Sequence, residues 1–547
     1  MILVNVFCDI VINNDSAYNW LCIKGKRHII IRNQLIVKRL LLLKNVAMLG
    51  IDWSEPIVKN IYVAVDIGAS SGRLMLAEIN RNQQIQIKEM HRFKNGFEKS
   101  DGHERWNIDY LIHEILTGLE KVKAAGYTNV HLGIDTWAVD YVLVGEDGQK
   151  LSNPISYRDS RTSNTIKALT SDLPKRELYK KTGIQFLDFN TLYQLYEEDH
   201  ELLKKTNKIM MIPDYIGYVL TGKAVTEVTN ASTTQMLNLR AGLFDEDLLN
   251  KVNVNDDQFA HLVEAGTTLG TISDNWMENF DLPVTEVITV ATHDTASAVV
   301  GTPGHGDDWA FLSSGTWSLL GKELNTPENG QLAFQDNYTN EWGAYGTYRF
   351  LKNIMGLWMA QCVKRCYGNQ YSFGELAALA GDEVPFQQFI DVNDERFVNP
   401  KNMIEEIQQY CRESNQTVPE TPGEVMMAIY ANLALFYANE IQELNKILNC
   451  HLNTLNIVGG GSNVALLNQL TSTLANIEVI AGPNEATAIG NALVQMISTG
   501  DVKNIQVGRK IISESFELKH FKPETGEYAG VLQRYQDFLN GHSKELV

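Results

Sequence analysis

Two groups of residues between Ile288 and Leu320 have the types and spacing for chemistry. The first is His293-Asp294-Thr295, which follows the apolar run ITVAT. A carboxylate at the C-terminal end of a strand is well placed to take a proton from a bound hydroxyl. Taken alone, Asp294 also fits a helix N-cap and His293 a satisfied buried histidine. The second is Ser313-Ser314-Gly315-Thr316, a break between two apolar strands whose backbone N–H groups and hydroxyls can wrap phosphate oxygens.

A similar pattern occurs earlier, in VDIGASSGR, where Asp66 ends an apolar strand and Gly68, Ala69, Ser70, Ser71, Gly72 and Arg73 follow. Alone it reads as an ordinary hairpin. Asp66 just before the turn is placed to hold a hydrated Mg²⁺, and the later Ser-Ser-Gly aligns Gly72 with Gly315 as a second copy. Duplication implies two similar domains facing one another, each giving a phosphate-binding hairpin to the cleft between them. A third turn, Gly459-Gly460-Gly461-Ser462-Asn463, stands between a strand and a helix and allows close approach of an anionic or flat ligand. It is not G-x-G-x-x-G, and no dinucleotide fingerprint surrounds it. In PISYRDSRT, the residues Arg158, Asp159 and Arg161 read equally as a sugar-hydroxyl or ion-pair cluster and as a solvated loop.

Alternating strands and helices must position these groups. Helical periodicity covers 108–125, strand texture 130–135, and Glu146-Asp147-Gly148 reads as a hairpin turn. The pattern predicts helices over 248–262, 348–367, 422–448 and 464–474, and strands over 286–291 and 455–458. On the helix predicted for 348–367, Asn353 and Gln361 are the polar exceptions and fall near one face, able to read ribose or sugar hydroxyls.

A chain of 547 residues exceeds one hydrophobic core, and its net charge of −19 disfavours nucleic acid or an anionic membrane surface as a partner. No run offers the roughly 20 apolar residues of a membrane span. Six scattered cysteines without metal-ligand spacing point to a reducing, cytoplasmic compartment, with Cys362 and Cys366 as inert packing on one helix. Residues 1–58 differ in texture from the rest and read as a non-functional or poorly ordered leader, with Met48 an alternative start. The expected division is then 59–301, 302–500 and a peripheral segment over 501–547.

Eleven segments in order, among them VDIGASSGR, GIDTWAVD, YRDSRT, THDTASAV, FLSSGTWSL and IVGGGSNVALLNQL, resemble the FGGY family of carbohydrate kinases. The resemblance runs from about Tyr62 to Ile497, and ASSGR, HDT and KNIMGLW narrow it to one ketose-kinase branch. It implies an α/β fold of two duplicated actin/hexokinase-like (ribonuclease H-like) domains, ATP and Mg²⁺ as cofactors, and a small-molecule sugar as substrate in a monomer or homodimer. It gives Asp294 the role of proton acceptor, with His293, Thr295 and Asn353 beside the sugar. Ala69 to Arg73 match the first ATP phosphate segment, Thr316 the second, Gln361 an ATP contact, Gly459 and Gly460 the nucleotide pocket, and Asp66 the metal-associated aspartate. Ala138 stands where the resembled sequences usually carry Gly against the sugar, and Trp342 also replaces an expected Gly. Sister ketose kinases, or a sensor that lost catalysis, are the alternatives.

Overall fold

The computed structural model describes residues 60–526 and 528–545, and the backbone of three short strands nearer the start of the chain. Those strands, Ile10–Asn13, Asn19–Ile23 and Lys26–Ile31, pair as an antiparallel meander and form a unit separate from residues 60–547. The rest of 1–59, including Met48, lies outside the described residues, and the expectation of a leader falls there.

The N-terminal lobe is built on a six-stranded sheet. Its strands are β1 (Tyr62–Ile67), β2 (Ser71–Ile79), β3 (Ile85–Lys94), β4 (Asn129–Thr136), β5 (Thr268–Thr271) and β6 (Val284–Ile288), in the order β5-β6-β4-β1-β2-β3. Every residue of β1 is buried, as expected for a strand flanked by neighbours and covered on both faces. Helix α1 (Ile108–Ala124) is capped by Asn107, ends with Lys121 and Lys123, and buries Leu111, Ile115, Leu119 and Val122. Helix α2 (Ile212–Thr221) belongs to the insertion between β4 and β5, which has its own apolar cluster around Leu178, Tyr193, Leu237 and Leu248. Helix α3 (Asp294–Val300) follows the last parallel strand.

The second sheet has seven strands: β7 (Trp309–Ser314), β8 (Trp317–Leu324), β9 (Thr339–Trp342), β10 (Tyr348–Met355), β11 (Thr454–Val458), β12 (Glu478–Ala481) and β13 (Lys519–Phe521). Their order is β9-β10-β8-β7-β11-β12-β13. Three antiparallel strands lead to two parallel neighbours and a final antiparallel edge in both sheets, so β3-β2-β1-β4-β6-β5 matches β10-β8-β7-β11-β12-β13 in spatial order and direction, and in chain order for all but the edge pair, since β5 precedes β6 and β13 follows β12. The expected duplication is therefore present, with β9 the one strand of the second sheet that has no partner in the first.

Among the helices of this lobe are α4 (Trp358–Cys366), α5 (Pro422–Leu448), α6 (Ala465–Ala475) and α7 (Ala486–Ser498). The start of α5 is fixed locally by Pro422 at its first position and a Thr421/Glu424 capping box, and its middle is buried all round as the centre of the lobe's core. Helices α3 and α7 follow equivalent strands in the two copies and cross where Gly490 meets the Ser297 carbonyl and Gly301 the Ala486 carbonyl, leaving no room for a methyl at either glycine. Helix α7 also reaches the first sheet: Gln495 donates to the Val63 carbonyl (3.1 Å) and Asn491 to Asp135 (2.6 Å).

Three sequence expectations change. The helix expected over 348–367 is strand β10 followed by α4, because 348–355 pairs with β8 on one side and β9 on the other. The long helix over 248–262 is only Glu246–Lys251 and a 3₁₀ turn at Asp256–Gln258. In the segment expected to be peripheral, the described residues supply the edge strand β13 and a buried Tyr535 that donates to the Ile390 carbonyl (3.1 Å). Among the described residues no helix is long and apolar enough to cross a membrane.

Candidate active site

Two of the three parallel strands of the first sheet, β1 and β4, carry an acid next to last, and the third, β6, leads through 289–293 to Asp294 at the start of α3. Asp66 on β1 stands in register with Asp135 on β4. Asp135 is fully buried, its Oδ2 accepts from Asn491 and its Oδ1 has no partner. Burial first, and the Asp66 charge second, push its carboxyl well above the usual range. The Thr136 N–H donates to the Thr292 carbonyl (2.9 Å), and this bridge lays the loop Trp137–Asp140 beside His293. Ala138 sits on that loop, half-buried.

Asp294 is the first residue of α3, and His293, not Asp294, occupies the cap position. Asp294 Oδ1 accepts from the Thr295 N–H (2.6 Å) and lies 3.2 Å from its hydroxyl, which uses Thr295 to orient the carboxylate. The side chain keeps 33% of its surface open. Burial raises its pKa, opposed by His293 and helped by the Asp66 charge.

The loop beside His293 is held under strain. Val139 has φ +66°, costly for a β-branched residue, and three polar groups grip it. Its N–H donates to Thr233 Oγ1 (3.3 Å), while Thr191 Oγ1 (2.6 Å) and Gln194 Nε2 (3.3 Å) donate to its carbonyl. Next to it, buried Asp140 accepts from Trp106 Nε1 (2.6 Å), Trp137 Nε1 (2.9 Å), Gln194 Nε2 (2.9 Å) and the Tyr157 N–H (3.1 Å). Burial outweighs these donors and moves its carboxyl up to about 6.

Among the described residues no hydrogen bond reaches the N–H groups of Ala69, Ser70 or Thr316, whereas the carbonyl side of both hairpin turns is tied down. Asn95 holds the Gly68 and Ser70 carbonyls (2.8 and 3.0 Å), and the start of α4 holds the Gly315 and Thr316 carbonyls (3.0 and 3.1 Å). The geometry leaves donors for an anion. The Ser-Ser-Gly alignment is nevertheless out of register: Gly68 and Gly315 leave the incoming strands, while Ser71, Gly72 and Arg73 belong to β2. Gly72 is required there by the Phe93 ring packed against it.

Arg73 donates to Asp66 Oδ2 through Nε (3.1 Å) and Nη2 (2.8 Å) and pairs with Glu485 at the start of α7. Burial opposes its charge, but the two carboxylates outweigh that and raise its pKa. Gln361 Nε2 reaches Thr316 Oγ1 at 3.5 Å, so these two expected nucleotide contacts stand together. Asn353 lies on β10, on a different element from Gln361, and its amide donates to Gln185 (2.9 Å). It shares a face of β10 with Arg349, which touches His293. In the glycine turn, Gly459 and Gly461 are explained by the Ser314 backbone and side chain against them, and Gly460 is exposed. Asp159 and Arg161 are structural: Asp159 caps its turn by accepting from the Arg161 N–H (3.0 Å), and Arg161 pairs with Glu198 (3.1 Å). Cys362 is buried on α4, and burial pushes its thiol up.

No three His, Cys, Asp or Glu side chains among the described residues form a metal-binding group. The donors present fit Mg²⁺ held mostly by phosphate and water. Arg73 occupies Asp66 Oδ2 and leaves Oδ1, and the orphaned Asp135 Oδ1 adds a further acceptor nearby. Asp135, Glu485, Asn491, Glu341 and Arg349 were not legible as site residues. Asp135, an acid ending the apolar run HLGI, carried the one local signal.

Two lobes of one duplicated fold, with a carboxylate at a helix start and two turns that leave backbone N–H groups open, fit a carbohydrate kinase, and the chain belongs to the FGGY family of carbohydrate kinases. Residues 61–301 match the family's N-terminal domain and residues 310–499 its C-terminal domain. Curated relatives are the rhamnulokinases of Lactiplantibacillus plantarum, 70% identical over 89% of this chain and 99% of that one, and of Bacillus subtilis, 54% identical over 87% and 98%. The fold is shared with gluconate kinase from Lactobacillus acidophilus (TM-score 0.73, 15% identity, 88% of this chain and 98% of that one) and with Plasmodium falciparum glycerol kinase with ADP (0.71, 15%, 89% and 99%).

Proposed function

We propose that the protein phosphorylates the primary 1-hydroxyl of L-rhamnulose with ATP, giving L-rhamnulose 1-phosphate and ADP, as a cytoplasmic step of rhamnose catabolism. Its 70% identity to relatives named rhamnulokinase supports this substrate, as do the segments ASSGR, HDT and KNIMGLW. In this reading 59–301 holds the sugar, with Ala138, His293, Thr295 and Asn353 beside it, and 302–500 holds the nucleotide.

The observation that supports the chemistry is that Asp66 and Asp135 stand in register on β1 and β4 while the Thr136–Thr292 bridge brings the start of α3, with Asp294, alongside them, close enough for the Asp66 charge to raise the Asp294 pKa. Asp294 takes the proton as the sugar oxygen attacks the terminal phosphorus and the bond to ADP breaks. Thr295 keeps the accepting oxygen aimed. The N–H groups of Ala69, Ser70 and Thr316 receive charge on the phosphoryl oxygens, and Gln361 and the Gly459–Gly460 turn seat the nucleotide. Mg²⁺ near Asp66 would neutralise phosphate charge. Closure of the lobes keeps water from competing for the phosphoryl group.

A coupled ADP-release assay over a panel of ketoses tests the substrate. L-rhamnulose is expected to give the highest kcat/KM. A tenfold preference for L-fuculose or D-xylulose would replace this substrate by a sister ketose, and no turnover with any ketose would favour a sensor.

A further inference from the structure

Strand β9 breaks the symmetry of the duplication, and it carries Glu341. Glu341 is the register partner of Arg349 on β10, and the two lie against the back of His293. Arg349 is wholly buried, with Nη2 3.1 Å from His293 Nδ1 and Nη1 3.0 Å from Glu341 Oε2. The guanidinium also donates to the carbonyls of Trp342 (3.2 Å) and Thr229 (3.4 Å). Glu341 Oε2 stands 3.3 Å from His293 Nδ1, yet it makes an aligned hydrogen bond to neither neighbour. The other ring nitrogen, Nε2, lies 3.4 Å from Asp294 Oδ1. A continuous line of side chains thus runs from the edge strand of the second lobe to the carboxylate at the end of the first.

Packing alone does not call for this line. A buried ion pair contributes little to stability against apolar residues of similar volume. Burial opposes the charge on Glu341, but Arg349 and His293 outweigh it and hold the carboxyl below its usual range, so the anion is kept beside the ring. With Arg349 donating to Nδ1, the proton of a neutral imidazole resides on Nε2 and faces Asp294.

We propose that Glu341 is a positioning residue for phosphoryl transfer: with Arg349 it fixes the His293 ring so that Nε2 faces the Asp294 carboxylate, and it ties that alignment to the second lobe. The idea rests on Asp294 being the base. A misplacement of about 1 Å at a reacting group costs roughly 10²-fold in rate.

The test uses the full chain with three variants. Glu341→Gln alone leaves Arg349 buried without its anion, so the neutral double variant Glu341→Gln/Arg349→Met separates fold from positioning. The double variant is expected to melt near the parent temperature and to lose about 10- to 100-fold in kcat, with KM for ATP within threefold. Glu341→Asp, which keeps the charge and shortens the reach, should recover part of that loss. A double variant that folds and keeps kcat within twofold overturns the proposal, as does one in which only the sugar KM changes. Should the double variant not fold, parental kcat in Glu341→Asp overturns it and a clear fall supports it. Asp294→Asn measured alongside separates the two ideas. If that variant is inactive and the Glu341 variants are normal, only the positioning fails; if Asp294→Asn is active, the base assignment fails first.

Discussion

The two lobes share strand order and direction, and they differ at the strand ends. The three parallel strands of the first lobe lead to Asp66, Asp135 and Asp294. The equivalent strands of the second lead to Ser313-Ser314, Val458-Gly459 and the Pro483–Glu485 turn before α7. Glu485 is the one acid among these, and Arg73 of the first lobe pairs with it. In the proposed reaction the charges of one copy handle a proton and a cation, while the small neutral residues of the other let a phosphate approach backbone N–H groups. On that proposal a duplicated scaffold divides one reaction between its halves.

Exchanging these features should break the comparison in graded ways. The largest effect is expected from Asp66→Ser, which gives the first turn the character of the second. Turnover should fall by about 10²-fold with a raised Mg²⁺ requirement, whereas Ser313→Ala should change turnover less than tenfold. Next, Gly490→Ala places a methyl into the Ser297 carbonyl at the crossing of α3 and α7. Overpacking of this kind costs about 1–3 kcal/mol, visible as a lower melting temperature. Thr316→Ala should act on the nucleotide side alone, raising KM for ATP a few-fold with the sugar KM unchanged.

The remaining effect bears on stability alone and concerns Asp140. Burial moves its folded carboxyl up to about 6, above the ordinary aspartate value of about 3.9, so between these values the native state holds a proton that the unfolded chain has released. The stabilisation is present in full below about pH 4 and is lost as pH rises through about 6, by on the order of 3 kcal/mol. Melting curves of Asp140→Asn should lack this part of the slope between pH 4 and 6.

What was legible in the sequence followed from local chemistry. Thr421, Pro422 and Glu424 announce α5, and the acid-glycine turn after β1 announces a hairpin. Where the sequence misled, distant pairing decided. The residues buried in 348–355 fit a helix stripe as well as a strand, and only β8 and β9 on either side select the strand. The repeated Ser-Ser-Gly matched by composition and not by position, because Gly72 serves Phe93 packing and Gly315 serves the turn. Glu341 meets His293 only through the register of β9 with β10, which no local pattern carries.

The division of labour is tested most directly by Asp294→Asn, with sugar and nucleotide binding followed by calorimetry and turnover by ADP release. The account predicts near-parental affinity for both ligands and a loss of about 10²–10⁴ in kcat. Turnover within a few-fold of the parent would contradict it.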